Sequence, residues 1–279
     1  MTTNNILYSL IILFFLTSCE KKNNSPKIIN AMDTTKDISQ KDWDQLANKK
    51  IYFGHQSVGN NMVDGLASII KEHPNIKLEI EESNSIKIFD SPVFAHSRNG
   101  QNGDPKSKID NFCKAMEDGL GDKVDMAGFK FCYVDFKKGT DVKNTFSYYK
   151  SKMDEISLKF PNVKIIHYTV PLSSIRSGPK ALIKKIIGKD IGIDDNVIRN
   201  EFNELLKSEY NINNIFDLTK FESTYPDGKR EYLEIDGKKV FTMIPSYTND
   251  GGHLSKKGKY IIGGELLIFL AKLSDGRQN

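Results

Sequence analysis

Lys50-Ile51-Tyr52-Phe53-Gly54 is a short apolar run ending at glycine, and it is followed by residues 60–73 with apolar side chains at Met62, Leu66, Ile69 and Ile70. The first has the length and composition of a buried strand, and the second has the spacing of an amphipathic helix. This strand-then-helix unit recurs along the chain. Pro74 closes the first helix, residues 76–81 alternate as a second strand, and residues 106–120 read as helix after a polar, glycine-containing loop at 83–104. A third strand is expected over 129–134, a helix over 142–160, a strand over 163–168, a helix over 195–210 and a strand over 214–218. Residues 219–248 read as a loop or small hairpin around Asp227-Gly228 and Asp236-Gly237, and residues 255–273 as a buried closing helix. Alternation of this kind predicts an α/β fold: a three-layer sandwich around a mostly parallel sheet of about five strands. Ligands of such sheets bind beyond the carboxyl ends of the strands, where Ser57, the 96–104 loop and Asp135 should gather.

The N-terminal residues stand apart from this pattern. Residues 6–16 are apolar but too few to span a bilayer, and they run into Leu16-Thr17-Ser18-Cys19. That tetrapeptide resembles the lipobox of bacterial lipoproteins, which implies a signal peptide over 1–18 and a lipid on Cys19. The polar stretch that follows, to about residue 45, reads as a tether, and residues 46–279 as the domain. The expected protein is therefore anchored through its lipid at the bacterial cell envelope. The net charge is +4, and the basic and acidic residues are interspersed, which argues against a nucleic-acid partner. Beyond Cys19 only Cys113 and Cys132 remain, either as a pair or as two buried thiols.

Chemistry is concentrated at two places. Ile51-Tyr52-Phe53-Gly54-His55-Gln56-Ser57-Val58-Gly59 puts a serine where a strand gives way to a helix, so that backbone N–H groups can face a developing oxyanion. Asp250-Gly251-Gly252-His253-Leu254 puts a carboxylate and an imidazole three residues apart at the entrance of a helix. Serine, histidine and aspartate together can activate a hydroxyl for attack on a carbonyl. The bland alternatives are that Ser57 and Asp250 merely cap their helices. Gly54 stands three residues before the serine, so the G-x-S-x-G elbow is not the pattern here. His55, His96 and His167 follow or lie in strands, but no H-x-H or H-E-x-x-H spacing supports a metal site, and no cofactor is expected.

Taken together, the segments resemble the SGNH/GDSL hydrolases, whose serine follows the first strand and whose Asp-x-x-His precedes the last helix. The resemblance implies a flavodoxin-like fold and catalytic roles for Ser57, Asp250 and His253. His96-Ser97-Arg98-Asn99-Gly100-Gln101-Asn102-Gly103-Asp104 is similar to the family's second block, with Gly100 matching the oxyanion glycine. The third block departs: Cys132-Tyr133-Val134-Asp135-Phe136 stands where Gly-x-Asn-Asp is usual, and His55-Gln56 stands where the first block has Gly-Asp. Asn102 or Gln56 could supply the lost amide, His55 could serve as an alternative base, and Asp135 is read as structural or substrate-orienting. The resemblance implies a serine esterase that removes a small acyl group, acetyl above all, from an ester such as an acylated carbohydrate. Two alternatives stay open: an acyltransferase with the same triad, and a non-catalytic glycan-binding protein of the envelope. Ser173 to Lys180 reads as a lid, and Phe221, Tyr225 and Tyr247 as rings that could face a sugar.

Overall fold

The computed structural model describes residues 38–175 and 192–275. The signal segment, Cys19, most of the tether and the far end of the expected lid lie outside the described residues.

Helix α1 (Gln40–Ala47) opens with a capping box in which Ser39 and Asp42 satisfy each other's backbone amides. Strand β1 (Lys50–His55) and helix α2 (Ser57–Glu72) follow. Next come β2 (Ile80–Glu82), β3 (Val93–Arg98), α3 (Pro105–Glu117), β4 (Met126–Phe129), α4 (Val142–Lys159) and β5 (Lys164–Tyr168). The chain continues through α5 (Ile193–Glu209), β6 (Ile215–Phe216), α6 (Leu218–Ser223) and the hairpin β7 (Tyr232–Ile235) with β8 (Lys238–Phe241), and ends in α7 (Lys256–Ser274).

Six strands form one sheet in the order β2-β3-β1-β4-β5-β6, and every pairing in it is parallel. Without the three-residue edge strand β2, the order is that of a flavodoxin-like doubly wound sheet. Side chains alternate across it. Ile51 and Phe53 of β1 join the core under α1, α2 and α7, while Tyr52 joins the core under α3, α4 and α5.

The sixth strand corrects the expectation of about five. Residues 93–98 lie in what reads as a polar loop, yet they form β3, sandwiched between β1 and β2. Their second half, His96-Ser97-Arg98, is polar, and burial between two neighbours rather than composition makes it a strand. The expected strand over 129–134 also moves. The paired segment is Met126–Phe129, flanked by β1 and β5; just beyond it Lys130 N–H still donates to the Gly54 carbonyl of β1, and Phe131 and Cys132 are buried outside the sheet. The hairpin forms around Asp236-Gly237, and Asn200 of α5 fastens it through both backbone groups of Phe241.

Cys113 and Cys132 are both buried, and neither forms a disulfide. Among the described residues no helix is long and apolar enough to cross a membrane.

Candidate active site

The order of the sheet puts the switch point at β1, between β3 and β4, and the segments leaving these three strands carry the candidate residues. Ser57 is the first residue of α2. The cap position before it is Gln56, whose side chain makes no capping hydrogen bond. The capping alternative for Ser57 therefore does not hold. Its hydroxyl is not the cap, and no hydrogen bond engages it among the described residues.

Asp250 and His253 meet directly. His253 Nδ1 lies 2.6 Å from Asp250 Oδ2, and Asp250 Oδ1 accepts the backbone N–H groups of Gly252 and His253 at 2.9 and 2.8 Å. A carboxylate only accepts, so the Nδ1 proton faces Asp250 and the neutral ring leaves Nε2 as a bare acceptor. Asp250 is not the cap of α7 either, because Ser255 holds that position and accepts from Gly258 N–H. Partial burial pushes the Asp250 carboxyl up, but the two amides and the imidazole outweigh it and hold it down to about 2. It is thus an anion wherever an esterase would work.

The turn bearing this pair is tied to the serine helix. Leu254 N–H donates to Asn61 Oδ1 at 3.0 Å, one helical turn beyond Ser57. Helices α2 and α7 touch backbone to backbone below it: a Cβ on Gly65 would lie 1.8 Å from the carbonyl oxygen of Lys259. Ser57 and His253 themselves make no hydrogen bond with each other. Catalytic hydrogen bonds often tighten only when substrate binds.

The loop after β3 supplies the facing wall. Gln56 Nε2 donates to the Gly100 carbonyl at 2.7 Å, bringing this loop beside Ser57. Gln56 therefore uses its amide to hold the loop. Gly100 has φ +60°, and a Cβ there would lie 2.6 Å from Lys108 Cα, so both its conformation and its neighbour require glycine. The Ser57 and Gly100 N–H groups have no acceptor among the described residues. Buried Asn99 staples the loop to α3, donating to the Lys108 carbonyl at 2.9 Å and accepting from Asn111 at 2.9 Å.

Asp135 takes no part in facing solvent. It is 4 % exposed, pairs with buried Lys108, and accepts from Gly103 N–H at 2.7 Å and Cys132 N–H at 2.6 Å. Its role here is structural, because all its near partners are donors of the fold. Asn102 is exposed, and its side-chain oxygen accepts from Lys108 Nζ at 3.0 Å.

His55 lies under the site rather than in it. It is 1 % exposed, and its Nε2 meets His96 Nδ1 at 3.0 Å. As an alternative base it fails on access. His167 is separately buried, stacked 3.7 Å from the Tyr210 ring and bonded to the Tyr149 hydroxyl. Among the described residues no three His, Cys, Asp or Glu side chains group as metal ligands. Burial, seconded by the charge of Lys130 and by His96, pushes His55 down to about 3, and burial does the same to His167. Both stay neutral in the folded protein while unfolded histidines protonate near pH 6.5. Their contribution to stability is complete above that pH and is lost as the pH falls from about 6.5 toward 3. Within that window each costs about 1.4 kcal/mol per pH unit. The midpoint of urea unfolding should accordingly be lower at pH 5 than at pH 7.5, and His167→Phe should flatten the difference. A midpoint indifferent to pH over this range, in the wild type, would sink the assignment.

Of the three candidate sugar-facing rings, Tyr247 is fully buried, Phe221 is half-buried against the α7 side of the core, and Tyr225 is half-buried with its hydroxyl bonded to Glu231. Residues that were not apparent as site residues in sequence take their places around the site. Tyr133 meets the His253 ring edge-on with centroids 5.9 Å apart, and Gly252 packs against it. Asn61 and Lys108 each act across the fold. Tyr133 could have been suspected from its position just after a central strand; Asn61 and Lys108 carry no local signal. A cavity of about 520 Å³ opens beside the Asp250 turn, with Tyr133, Lys137, Ser173, Ser174 and Arg199 among its lining.

No protein-family model and no curated protein matches the chain. Solved structures do resemble it. An acetyl xylan esterase, AlAXEase, is 16% identical, with 78% of this chain and 97% of that chain covered and a TM-score of 0.45. A structure described as a lipolytic protein of the G-D-S-L family from Desulfitobacterium hafniense DCB-2 is 12% identical over 80% of this chain and 99% of that chain, with a TM-score of 0.41. A salicylyl-acyltransferase, SsfX3, from a tetracycline biosynthetic pathway is 13% identical over 81% of this chain and 55% of that chain, with a TM-score of 0.39. At such loose overlaps the site stands on its own geometry.

Proposed function

We propose that this protein is a divergent serine hydrolase of the SGNH/GDSL type that cleaves a carboxylic ester with a small acyl group, acetyl on a carbohydrate being the substrate we favour. The observation that carries the reading is the Asp250–His253 pair, with Nε2 left as acceptor, on a turn tied by Asn61 to the helix that begins at Ser57. In this reading Ser57 Oγ passes its proton to His253 Nε2 and attacks the acyl carbon. The carbonyl oxygen becomes an oxyanion facing the Ser57 and Gly100 N–H groups. His253 returns the proton to the leaving alkoxide, and water then enters by the same route to free the acid and restore Ser57. Asp250 keeps the imidazole in the required tautomer throughout. A sugar alcohol in place of that water would make the same site an acyltransferase.

The test is labelling of the purified protein with a fluorophosphonate, with the adduct mapped by mass spectrometry. A single adduct on Ser57 that disappears in His253→Ala is the expected result. A folded protein that takes no label would remove the catalytic reading and leave glycan binding to be tested. The envelope location belongs to the same proposal and is supported by Leu16-Thr17-Ser18-Cys19. Cys19→Ala should move the protein out of the membrane fraction of an expressing bacterium; unchanged fractionation would count against lipidation.

A further inference from the structure

An aspartate near an oxyanion is repulsive unless something neutralises it. Asp135 is neutralised by Lys108, and both side chains are fully buried. The pair holds the loop after β3 at two successive residues: Lys108 Nζ donates to Asn102 Oδ1 at 3.0 Å, and Asp135 accepts from Gly103 N–H at 2.7 Å. It holds the segment after β4 as well, through Cys132 N–H. An ammonium has donors and no acceptor. The oxygen of the Asn102 amide must therefore face Lys108, and its NH2 group must point away from the buried pair. Asn102 lies two residues beyond Gly100, whose carbonyl is held by Gln56 beside Ser57.

We propose that Lys108 and Asp135 are a buried positioning pair that fixes the Asn102 side-chain NH2 toward the acyl oxygen, so that Asn102 serves as an oxyanion donor. The proposal rests on the esterase reading above. It assigns the donor work to Asn102, which touches substrate, and the orienting work to Lys108 and Asp135, which do not.

The test measures kcat and KM separately for p-nitrophenyl acetate with purified full-length variants. Asn102→Ala and Asn102→Asp should each lower kcat by about 100-fold while changing KM by less than about threefold, because the lost donor acts on the transition state. Asn102→Asp still offers Lys108 an oxygen and should fold as the wild type does; full kcat in that variant would overturn the proposal. Lys108→Met/Asp135→Asn should lower kcat by about 10- to 100-fold with Asn102 present, and by less than about twofold on the Asn102→Ala background, since an absent amide cannot be misplaced. Equal losses on both backgrounds would mean that the pair only supports packing, which overturns the proposal. Should the double variant lose its thermal transition, Asp135→Asn alone goes through the same cycle under the same criterion. Failure of the esterase reading has a different signature: the wild type shows no turnover, or Ser57→Ala retains it, and both proposals then fall.

Discussion

Ser57→Ala should lower ester turnover by about 10⁴- to 10⁶-fold and leave the thermal midpoint within about 1 °C of the wild type. The first half follows from chemistry. Without a hydroxyl at the start of α2 no acyl-enzyme can form, and the surviving rate is what the oxyanion donors and substrate binding supply to direct attack by water. The second half follows from the local structure. An N-cap serine replaced by alanine typically costs about 1 kcal/mol, but the cap of α2 is Gln56, and Ser57 contributes no capping bond. Alanine is also the better helix former at the first helical position. Steady-state kinetics and a melting curve on the same preparation check both halves. Retained turnover at an unchanged midpoint would show that the serine is a bystander.

Gly65→Ala should destabilise the protein by about 2 kcal/mol or more and lower turnover as well. The added Cβ would sit 1.8 Å from the Lys259 carbonyl oxygen and 3.3 Å from Gly263 Cα, so backbone, not a flexible side-chain end, must give way. Overpacking of this kind costs about 3 kcal/mol, against which the gain of about 1 kcal/mol in helix propensity is too small. The movement has a functional consequence. Helix α7 follows directly after Asp250 and His253, and α2 begins at Ser57, so separating the helices separates the halves of the site. Gly264→Ala is the control. Its Cβ would meet only the end of the Ile69 side chain at 3.2 Å, and propensity should make it neutral or stabilising. Urea titrations of both variants decide the matter; equal midpoints would mean that α2 and α7 yield more easily than their contact suggests.

Much of the fold was legible because hydrophobic periodicity is local. The strand at 163–168 and the helices at 142–160 and 255–273 match β5, α4 and α7 to within a residue or two at each end. The errors have a common origin. Residues 93–98 end in His96-Ser97-Arg98, whose polarity looks like loop until β1 and β2 pair on either side. Ala127 and Gly128 are poor strand formers taken alone, yet they form the middle of β4 because β1 and β5 offer their edges.

The site divides in the same way. Asp250 and His253 are three residues apart, so their contact could be anticipated from spacing, and the serine could be placed at a strand-to-helix junction. Which polar residues face solvent could not be anticipated. His55, next but one to Ser57, is buried against His96; Asp135 is locked to Lys108; Tyr247 is packed inside.

By itself, then, the sequence determined the alternating elements, the parallel sheet they imply, and the Asp250–His253 turn, all of which depend on side chains within a few residues of one another. Only the tertiary structure decided which of the candidate residues reach the surface and which hold the scaffold. Burying a polar group is unfavourable unless a partner satisfies it, and for Lys108, Asp135 and His55 that partner comes from a distant part of the chain.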